Sequence, residues 1–383
     1  MLDGPAWEID AVHEEFRASV RAFADRHVRP VAEDSEQAGR PPAALLRAMG
    51  TAGLLGLAAG EEDGGGAGDS LAIAILAEEL TRASGGIAIT ALVSAYMAMP
   101  HITRFGTAAQ RARYLPGLIA GETIAAIAVT EPGAGSDVAG IRCRAVEVAG
   151  GFRIDGTKMF ITNAGIADVI IVAARTSPER HRGITTFLVD RGTPGLAVGA
   201  PLRKLGWHAS DTREVILHDC IVPPDAVLGT VGRGFEQIMT AFQLERLALA
   251  GMSLGHAAEC VELASRHAAD REVFGCRLID LQATRHRLAV LAVELAASRL
   301  LTYAAAARLD SGHPAASRSV AMAKYHAAVS ANRIVDECLQ LFGGSGFLEE
   351  NVIARHFRDA RVLRIGGGTD EIQLEILGRG QSG

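Results

Sequence analysis

A carboxylate on an apolar helix stripe is the first candidate for chemistry in this sequence. Glu245 lies in a helical pattern after Gly232, and its neighbours three, four and seven positions away are all apolar: Ile238, Ala241, Phe242, Ala248, Leu249 and Met252. Desolvation on such a stripe disfavours the charged form and raises the pKa of a carboxyl group towards neutrality. Such a group can be a catalytic base, or a structural acid paired with a buried base from another element. Arg246, next in sequence, is expected to point elsewhere on the helix.

Three glycine-rich segments are candidate binding loops. They are Thr130–Asp137 (TEPGAGSD), Leu341–Phe347 (LFGGSGF) and Ile365–Asp370 (IGGGTD). Successive small residues expose backbone N–H groups to an anion or an aromatic heterocycle, although a single segment of this kind is more often an ordinary turn. No GxGxxG motif opens a βαβ unit and GxxxxGK[ST] is absent, which argues against a Rossmann fold and a P-loop.

The elements that position these residues fall into three blocks, so the sequence predicts an α+β protein of three domains. Residues 1–122 have helical periodicity, as in Val12–His27 and Ser70–Ala83, and predict a helical bundle. Residues 123–231 contain short β-rich runs between turn residues, which predict an antiparallel β-barrel or sandwich. Residues 232–383 are almost entirely helical, and the long segments Arg233–Arg271 and Leu278–Ser311 predict a four-helix bundle that packs against other subunits.

Composition excludes several functional classes. The 383 residues include 38 Lys and Arg against 44 Asp and Glu, a net charge of −6 that argues against a nucleic-acid binder. We found no uncharged apolar run of the roughly 18 residues that a membrane span needs, and no signal peptide in the acidic start. The five cysteines form no CxxC pair, and His101, His208 and His356 lack ligand spacing. We therefore expect reduced thiols, no metal site and a cytoplasmic protein.

Five strings in the same order resemble the acyl-CoA dehydrogenase family. They are AVTEPGAGSDVAGI, DGTKMFITNAGIAD, REVFG with LQ downstream, QLFGGSGF, and FRDARVLRIGGGTDEIQ. The match covers nearly the whole chain, and the family has the same helix–β–helix order. The resemblance implies an oxidoreductase that binds FAD.

The resemblance also assigns FAD contacts residue by residue. Thr130 and Ser136 would contact the flavin ring and the pyrophosphate, and Phe160 and Thr162 would lie against the isoalloxazine. Across a subunit interface, FAD would be reached by Arg271, Phe274 and Gln282. The adenosine diphosphate end would be held by Gln340, Gly343 and Gly344, and Thr369 with Glu371 would contact the adenosine part.

The position of the base departs from the commonest family pattern. Many members carry the catalytic Glu in the last loop, as Tyr-Glu-Gly-Thr, whereas this loop is Gly366-Gly367-Gly368-Thr369. The branch that resembles isovaleryl-CoA and long-chain acyl-CoA dehydrogenases keeps its base on the long helix, within Leu/Gln-Glu-Arg, which corresponds to Leu244-Glu245-Arg246. The resemblance therefore selects the carboxylate that helix periodicity had singled out. It implies that Glu245 removes the α-proton of an acyl thioester while the β-hydride passes to flavin N5.

The partners follow from the same resemblance. Gln243, Arg246 and the backbone N–H of Gly367 are the candidate substrate contacts, and an electron-transferring flavoprotein is the expected acceptor. We expect a homo-oligomer, a tetramer by analogy with the family. Three alternatives stay open: the same chemistry on an acyl- or aminoacyl-carrier-protein thioester, a flavin oxidase or monooxygenase, and a helical scaffold without activity.

Overall fold

The computed structural model describes residues 9–379. Residues 1–8, where we found no signal peptide in the sequence, and 380–383 lie outside the described part. The helix–β–helix order is present and defines the α+β fold, while the domain boundaries at 122/123 and 231/232 stay predictions.

The first block is a helical bundle, and the helix predicted over Ser70–Ala83 has the same bounds in the structure. It comprises α1 (Ala11–Phe23), α2 (Ala32–Ala38), α3 (Ala43–Thr51), α4 (Ser70–Ala83), α5 (Gly85–Leu92), α6 (Met99–Phe105) and α7 (Ala108–Ala120). Asp69 caps α4 by accepting from the backbone N–H of Ala72 at 2.7 Å. The predicted helix Val12–His27 is α1 continued by a π-helical turn over Ala24–Val28.

The second block is an eight-stranded sheet that is mixed and does not close into a barrel. Its strands are β1 (Ala125–Ala128), β2 (Arg144–Val148), β3 (Gly151–Thr162), β4 (Val169–Arg175), β5 (Ile184–Asp190), β6 (Leu196–Val198), β7 (Thr212–Val222) and β8 (Val227–Leu228). The strand order is β6-β7-β3-β2-β4-β5-β8, with β1 parallel to β4. The sheet therefore differs from the expected antiparallel barrel or sandwich in that both β1 and β2 pair with β4 in parallel. Residues 169–174 of β4 are all buried, because one face of this strand packs on α6 and α7 and the other on the sheet's own core.

The third block consists of three long helices with shorter ones at the end. It comprises α8 (Gly234–Asp270), the hairpin β9 (Glu272–Val273) and β10 (Cys276–Arg277), α9 (Gln282–Asp310), α10 (Ala316–Phe342), α11 (Val352–Ala360) and α12 (Asp370–Arg379). Residues 246–260 of α8 are buried without interruption. This helix is enclosed because α4 from the first block packs against it, together with α9 and α10.

Two described helical stretches reach the length and mean hydropathy of a membrane span. They are Gly85–Phe105, of which 94% is buried inside the protein, and α9, of which 33% is buried. Both contain polar or charged residues, such as Ser94 and Glu294. For that reason neither is an uninterrupted apolar run in the sequence.

Candidate active site

Glu245 lies within α8, where the predicted apolar stripe is part of the protein core. Ile238, Ala248 and Met252 are fully buried. The Glu245 carboxylate makes no hydrogen bond or ion pair with any residue between 9 and 379. Burial raises its pKa to about 7, against the opposing effect of the Arg246 and Lys324 charges. The expected desolvated carboxylate is present, and no described residue pairs with it directly.

The last glycine loop lies against this carboxylate. Gly367 has φ +66°, and a Cβ at this position would lie 2.6 Å from Cδ1 of Leu249 and 3.5 Å from Oε1 of Glu245. A side chain on the loop and the Glu245 carboxylate would therefore compete for the same space. The left-handed backbone and the close approach of α8 both favour glycine here.

Two successive carbonyl groups of this loop are held by three side chains. Arg246 Nε donates to the Gly367 carbonyl at 3.0 Å, and Lys324 Nζ donates to the Gly368 carbonyl at 2.7 Å. Gln373 Nε2 donates to both, at 3.1 and 3.0 Å. Arg246 thus reaches the same loop as Glu245, although consecutive helical residues project about 100° apart.

The backbone amides of the same loop are free to bind an anion. In the part of the chain that the structure describes, the N–H groups of Gly367, Gly368 and Thr369 donate to no protein acceptor. All peptide bonds described are trans, so the N–H of Gly368 points opposite to the Gly367 carbonyl that Arg246 holds. Unpartnered amides beside a desolvated carboxylate form an arrangement that can stabilise a developing oxyanion.

The first glycine-rich segment is joined to the MFITN strand by a buried ion pair. Glu131 Oε1 accepts from Lys158 Nζ at 2.7 Å, and the carboxylate also accepts from the backbone N–H groups of Arg142 and Cys143. The backbone N–H of Met159 donates to the carbonyl of Thr130 at 2.8 Å. Lys158 is fully buried, so two sequence motifs form one rigid unit.

A bulge in β3 turns Phe160 outwards from this unit. The pairing of β3 with β7 is interrupted between Lys158 and Ile161, and Phe160 has φ +60° and is 64% exposed. Bulges commonly redirect a side chain towards a functional site. Phe242, three residues before Glu245 on α8, packs in the same cluster as Val129 and Ala134. The Thr130 segment therefore borders the turn of α8 next to Glu245.

The residues expected to hold FAD near the sheet fit a bound heterocycle with phosphates. A Cβ added at Gly133 or Gly135 would meet no other atom of the chain within 4 Å. The hydroxyl groups of Thr130, Ser136 and Thr162 make no hydrogen bond to any residue from 9 to 379. Open backbone and unpartnered hydroxyls are suitable for phosphate and ring contacts.

The other predicted FAD residues lie at the far end of α8. Arg271 is 26 positions after Glu245, which is about 39 Å along a helix axis at 1.5 Å per residue. Phe274 on the β9–β10 hairpin is fully exposed. Within one chain these residues cannot join Thr130 and Glu245 around a single flavin ring. Four more residues that were predicted to contact FAD are also exposed: Gln282, Gln340, Gly343 and Gly344.

Three further predicted residues have local partners. Thr369 caps α12, because its Oγ1 accepts from the backbone N–H of Ile372 at 3.4 Å. The Glu371 carboxylate accepts from its own backbone N–H and from Thr369, which lowers its pKa. Gln243 donates from Nε2 to Ser317 at 3.3 Å, while its buried amide oxygen has no partner among the described residues.

Lys324 and Gln373 are site residues that sequence reasoning missed. For Lys324 the signal was present, because its neighbours at three and four positions are Val320, Ala321, Ala327 and Ala328. The same pattern had identified Glu245. Gln373 had no such signal, since its role depends on the path of the loop that precedes it.

The histidines give no metal centre among the described residues. His101 is buried and bonds to the Met97 carbonyl through Nδ1. His356 is buried and shares a hydrogen bond of 2.8 Å with His256, Nδ1 to Nδ1. The five cysteines are free.

Comparison with known proteins places this chain and its fold in one class of enzyme. Residues 10–122 match the N-terminal domain of acyl-CoA dehydrogenases, residues 126–220 the middle domain and residues 232–381 the C-terminal domain. The chain belongs to the acyl-CoA dehydrogenase family and is an oxidoreductase.

Related proteins and solved structures match this chain over nearly its whole length. A mitochondrial isovaleryl-CoA dehydrogenase of Solanum tuberosum is 35% identical over 97% of this chain and 90% of its own. The crystal structure of an acyl-CoA dehydrogenase from Geobacillus kaustophilus has a TM-score of 0.93 at 36% identity, over 98% and 99% of the two chains. The structure of PigA with FAD and proline has a TM-score of 0.94 at 27% identity, over 98% and 99%.

Proposed function

We propose that this protein dehydrogenates an acyl-CoA thioester between its α- and β-carbons, with Glu245 as the base. The observation that carries the proposal is the desolvated, unpartnered carboxylate of Glu245 beside a loop with three free amides. A base with a pKa near neutrality is suited to take a proton at physiological pH. The oxidoreductase family and the relatives with acyl-CoA substrates support the reaction class.

In the proposed reaction, each residue of the site acts on an atom whose charge changes as the α-proton leaves. The α-proton becomes acidic when the thioester carbonyl is polarised, and the loop amides at Gly367–Thr369 donate to the carbonyl oxygen as it gains charge. Glu245 takes the α-proton onto a carboxylate oxygen. Arg246 holds the loop through the Gly367 carbonyl. The apolar neighbours of Glu245 on α8 keep its pKa raised.

FAD is the cofactor that we propose, and when bound it accepts the hydride from the β-carbon. Thr130, Ser136, Phe160 and Thr162 would hold its ring and phosphates beside the sheet. The similar structure of PigA contains FAD, which supports this choice.

Completion of the FAD site requires a second copy of this chain. Arg271, Phe274 and Gln282 follow the far end of α8, too distant to reach the ring bound by their own chain, and Phe274 is fully exposed. We therefore propose a homo-oligomer, a tetramer by family resemblance, with an electron-transferring flavoprotein as acceptor. Light scattering of the FAD-loaded protein measures its mass, and a monomer that retains FAD would contradict the shared site.

A second candidate is the same chemistry on an aminoacyl group held by a carrier protein. The proline in the PigA structure and the unpartnered amide oxygen of Gln243 favour it. Matched acyl-CoA and carrier-bound thioesters, offered to the same holoprotein, distinguish the two candidates by which of them reduces the flavin faster.

The base is tested by Glu245→Gln. We expect the variant to keep FAD but to show no loss of flavin absorbance when an acyl thioester is added without oxygen. Glu236→Gln is the matched control, since Glu236 is on the same helix and pairs with Arg233 on the surface. It should be bleached like the wild type. Full bleaching of Glu245→Gln would remove Glu245 from the mechanism, and rapid reoxidation by air would favour an oxidase.

A further inference from the structure

Lys324 is a buried cation for which the proposed reaction has no role so far. It lies on α10, is fully buried, and donates from Nζ to the Gly368 carbonyl at 2.7 Å. A buried ammonium group needs a partner that repays its desolvation. Its hydrogen bond is made to a backbone carbonyl, and no carboxylate forms a direct ion pair with it among residues 9–379.

This hydrogen bond sets the orientation of an amide on the glycine loop. In a planar trans peptide, the carbonyl and the following N–H point in opposite directions. Because Lys324 and Gln373 hold the Gly368 carbonyl, the N–H of Thr369 points away from them. The same holds for the N–H of Gly368, whose peptide carbonyl is held by Arg246 and Gln373. Lys324, Arg246 and Gln373 therefore fix the direction of two backbone N–H groups, those of Gly368 and Thr369, which point out of the loop.

The ammonium group also acts on Glu245 through charge. Four charged groups face Lys324. Arg364 lies in the short turn before the glycine loop and Asp370 begins α12, while Glu245 and Arg246 lie on α8. Arg364 pairs with Asp370 at 2.7 Å, and at Lys324 the charge of Asp370 has a larger effect on the pKa than the charge of Arg364. Lys324 and Arg246 are the two cations that favour the ionised form of Glu245.

We propose that Lys324 is a positioning residue for the dehydrogenation: through its hydrogen bond to the Gly368 carbonyl it aims the N–H of Thr369 at the thioester oxygen, and it places a buried positive charge against the loop that faces Glu245. The inference rests on the proposed function, because it assigns Lys324 to the same reaction. It adds a separate cation from α10 to the carboxylate and loop already described.

Lys324→Met tests both effects, because methionine keeps the length of the side chain and removes the charge and the donor. We expect the limiting rate of flavin reduction to fall roughly 10- to 100-fold, with little change in thioester affinity. The pH at half-maximal rate should move upward, because Glu245 loses a neighbouring cation. Lys324→Arg should keep the wild-type pH midpoint and restore part of the rate.

Two further variants separate the effects and supply a control. Gln373→Met removes a neutral donor from the loop, so it should lower the rate without moving the pH midpoint. Lys204→Met is the matched control, because Lys204 is a half-buried lysine that also donates to a backbone carbonyl, that of Ser210. It should change neither quantity. Equal losses in Lys204→Met and Lys324→Met would overturn the proposal.

A readout without substrate keeps this inference separate from the proposed function. The carboxylic C=O stretch of Glu245, assigned by its absence in Glu245→Gln, is followed by infrared difference spectroscopy of the FAD-loaded protein as pH rises. In Lys324→Met the band should persist to higher pH than in the wild type. An unchanged midpoint overturns the electrostatic role, whichever thioesters react. If no thioester bleaches the flavin of the wild type, the proposed function fails. The infrared midpoint still shows whether Lys324 affects the ionisation of Glu245. If Lys324→Met does not fold, an unchanged rate in Gln373→Met overturns the role of the loop contacts.

Discussion

Glu245 should destabilise the folded protein at the pH at which the proposed reaction needs it ionised. Its pKa is about 7 in the folded chain against an ordinary value of 4.5, so the folded state binds this proton more tightly than the unfolded state does. Stability from this group is fully present below pH 4.5 and is lost as pH rises through 7. At 1.36 kcal/mol for each pKa unit, the loss approaches about 3 kcal/mol at pH 8 and is under about 1 kcal/mol at pH 5.

Glu245→Gln should therefore be more stable than the wild type, and more so at alkaline pH. We expect the free energy of unfolding to rise by about 3 kcal/mol at pH 8 and by less than about 1 kcal/mol at pH 5. Urea titration of FAD-loaded protein at both pH values measures the difference. Glu236→Gln, at an exposed position, should stay within about 0.5 kcal/mol of the wild type. A Glu245→Gln protein that is less stable at pH 8, or equally changed at both pH values, would refute a desolvated Glu245.

Three other predictions follow from the packing. Gly367→Ala should lower the free energy of unfolding by about 1–3 kcal/mol, because its φ is +66° and its Cβ meets α8; calorimetry measures this. Lys158→Met should cost about 3–5 kcal/mol by leaving Glu131 buried without its cation, and Lys158→Met/Glu131→Gln should recover part of that loss in urea titrations. Burial lowers the pKa of His256 to about 3 and that of His356 well below its usual value, so the stability that these two neutral histidines contribute is lost as pH drops below 6.5; relative to the wild type, His256→Leu/His356→Leu should therefore gain free energy of unfolding between pH 7 and 5 in urea titrations.

The features that the sequence predicted well depend on local spacing. The bounds of α4 follow from its cap and its helical stripe, and the desolvation of Glu245 follows from neighbours on its own helix. Both can be derived from a short window because the contacts involved are one or two turns apart. Lys324 has the same local pattern, and applying the same test to cations would have identified it.

The features that the sequence did not predict depend on distant contacts. The parallel pairing of β1 with β4 joins Ala125 to Val169, and short apolar strands carry no information about which strand they pair with. The bond from Lys324 to Gly368 connects positions 44 residues apart. His256 and His356 are 100 residues apart. Such pairs follow from how α8, α10 and α11 pack, which periodicity within one helix does not reveal.

The uninterrupted burial of residues 246–260 on α8 has a consequence for how the enzyme adapts to its substrates. The backbone that carries Glu245, at the end of this segment, can shift only if the three neighbouring helices repack. In the proposed reaction, the incoming acyl group therefore aligns itself to a carboxylate on a fixed backbone. Under the same proposal, a change of substrate preference arises more readily where the backbone is easier to alter, in the glycine loop that faces Glu245.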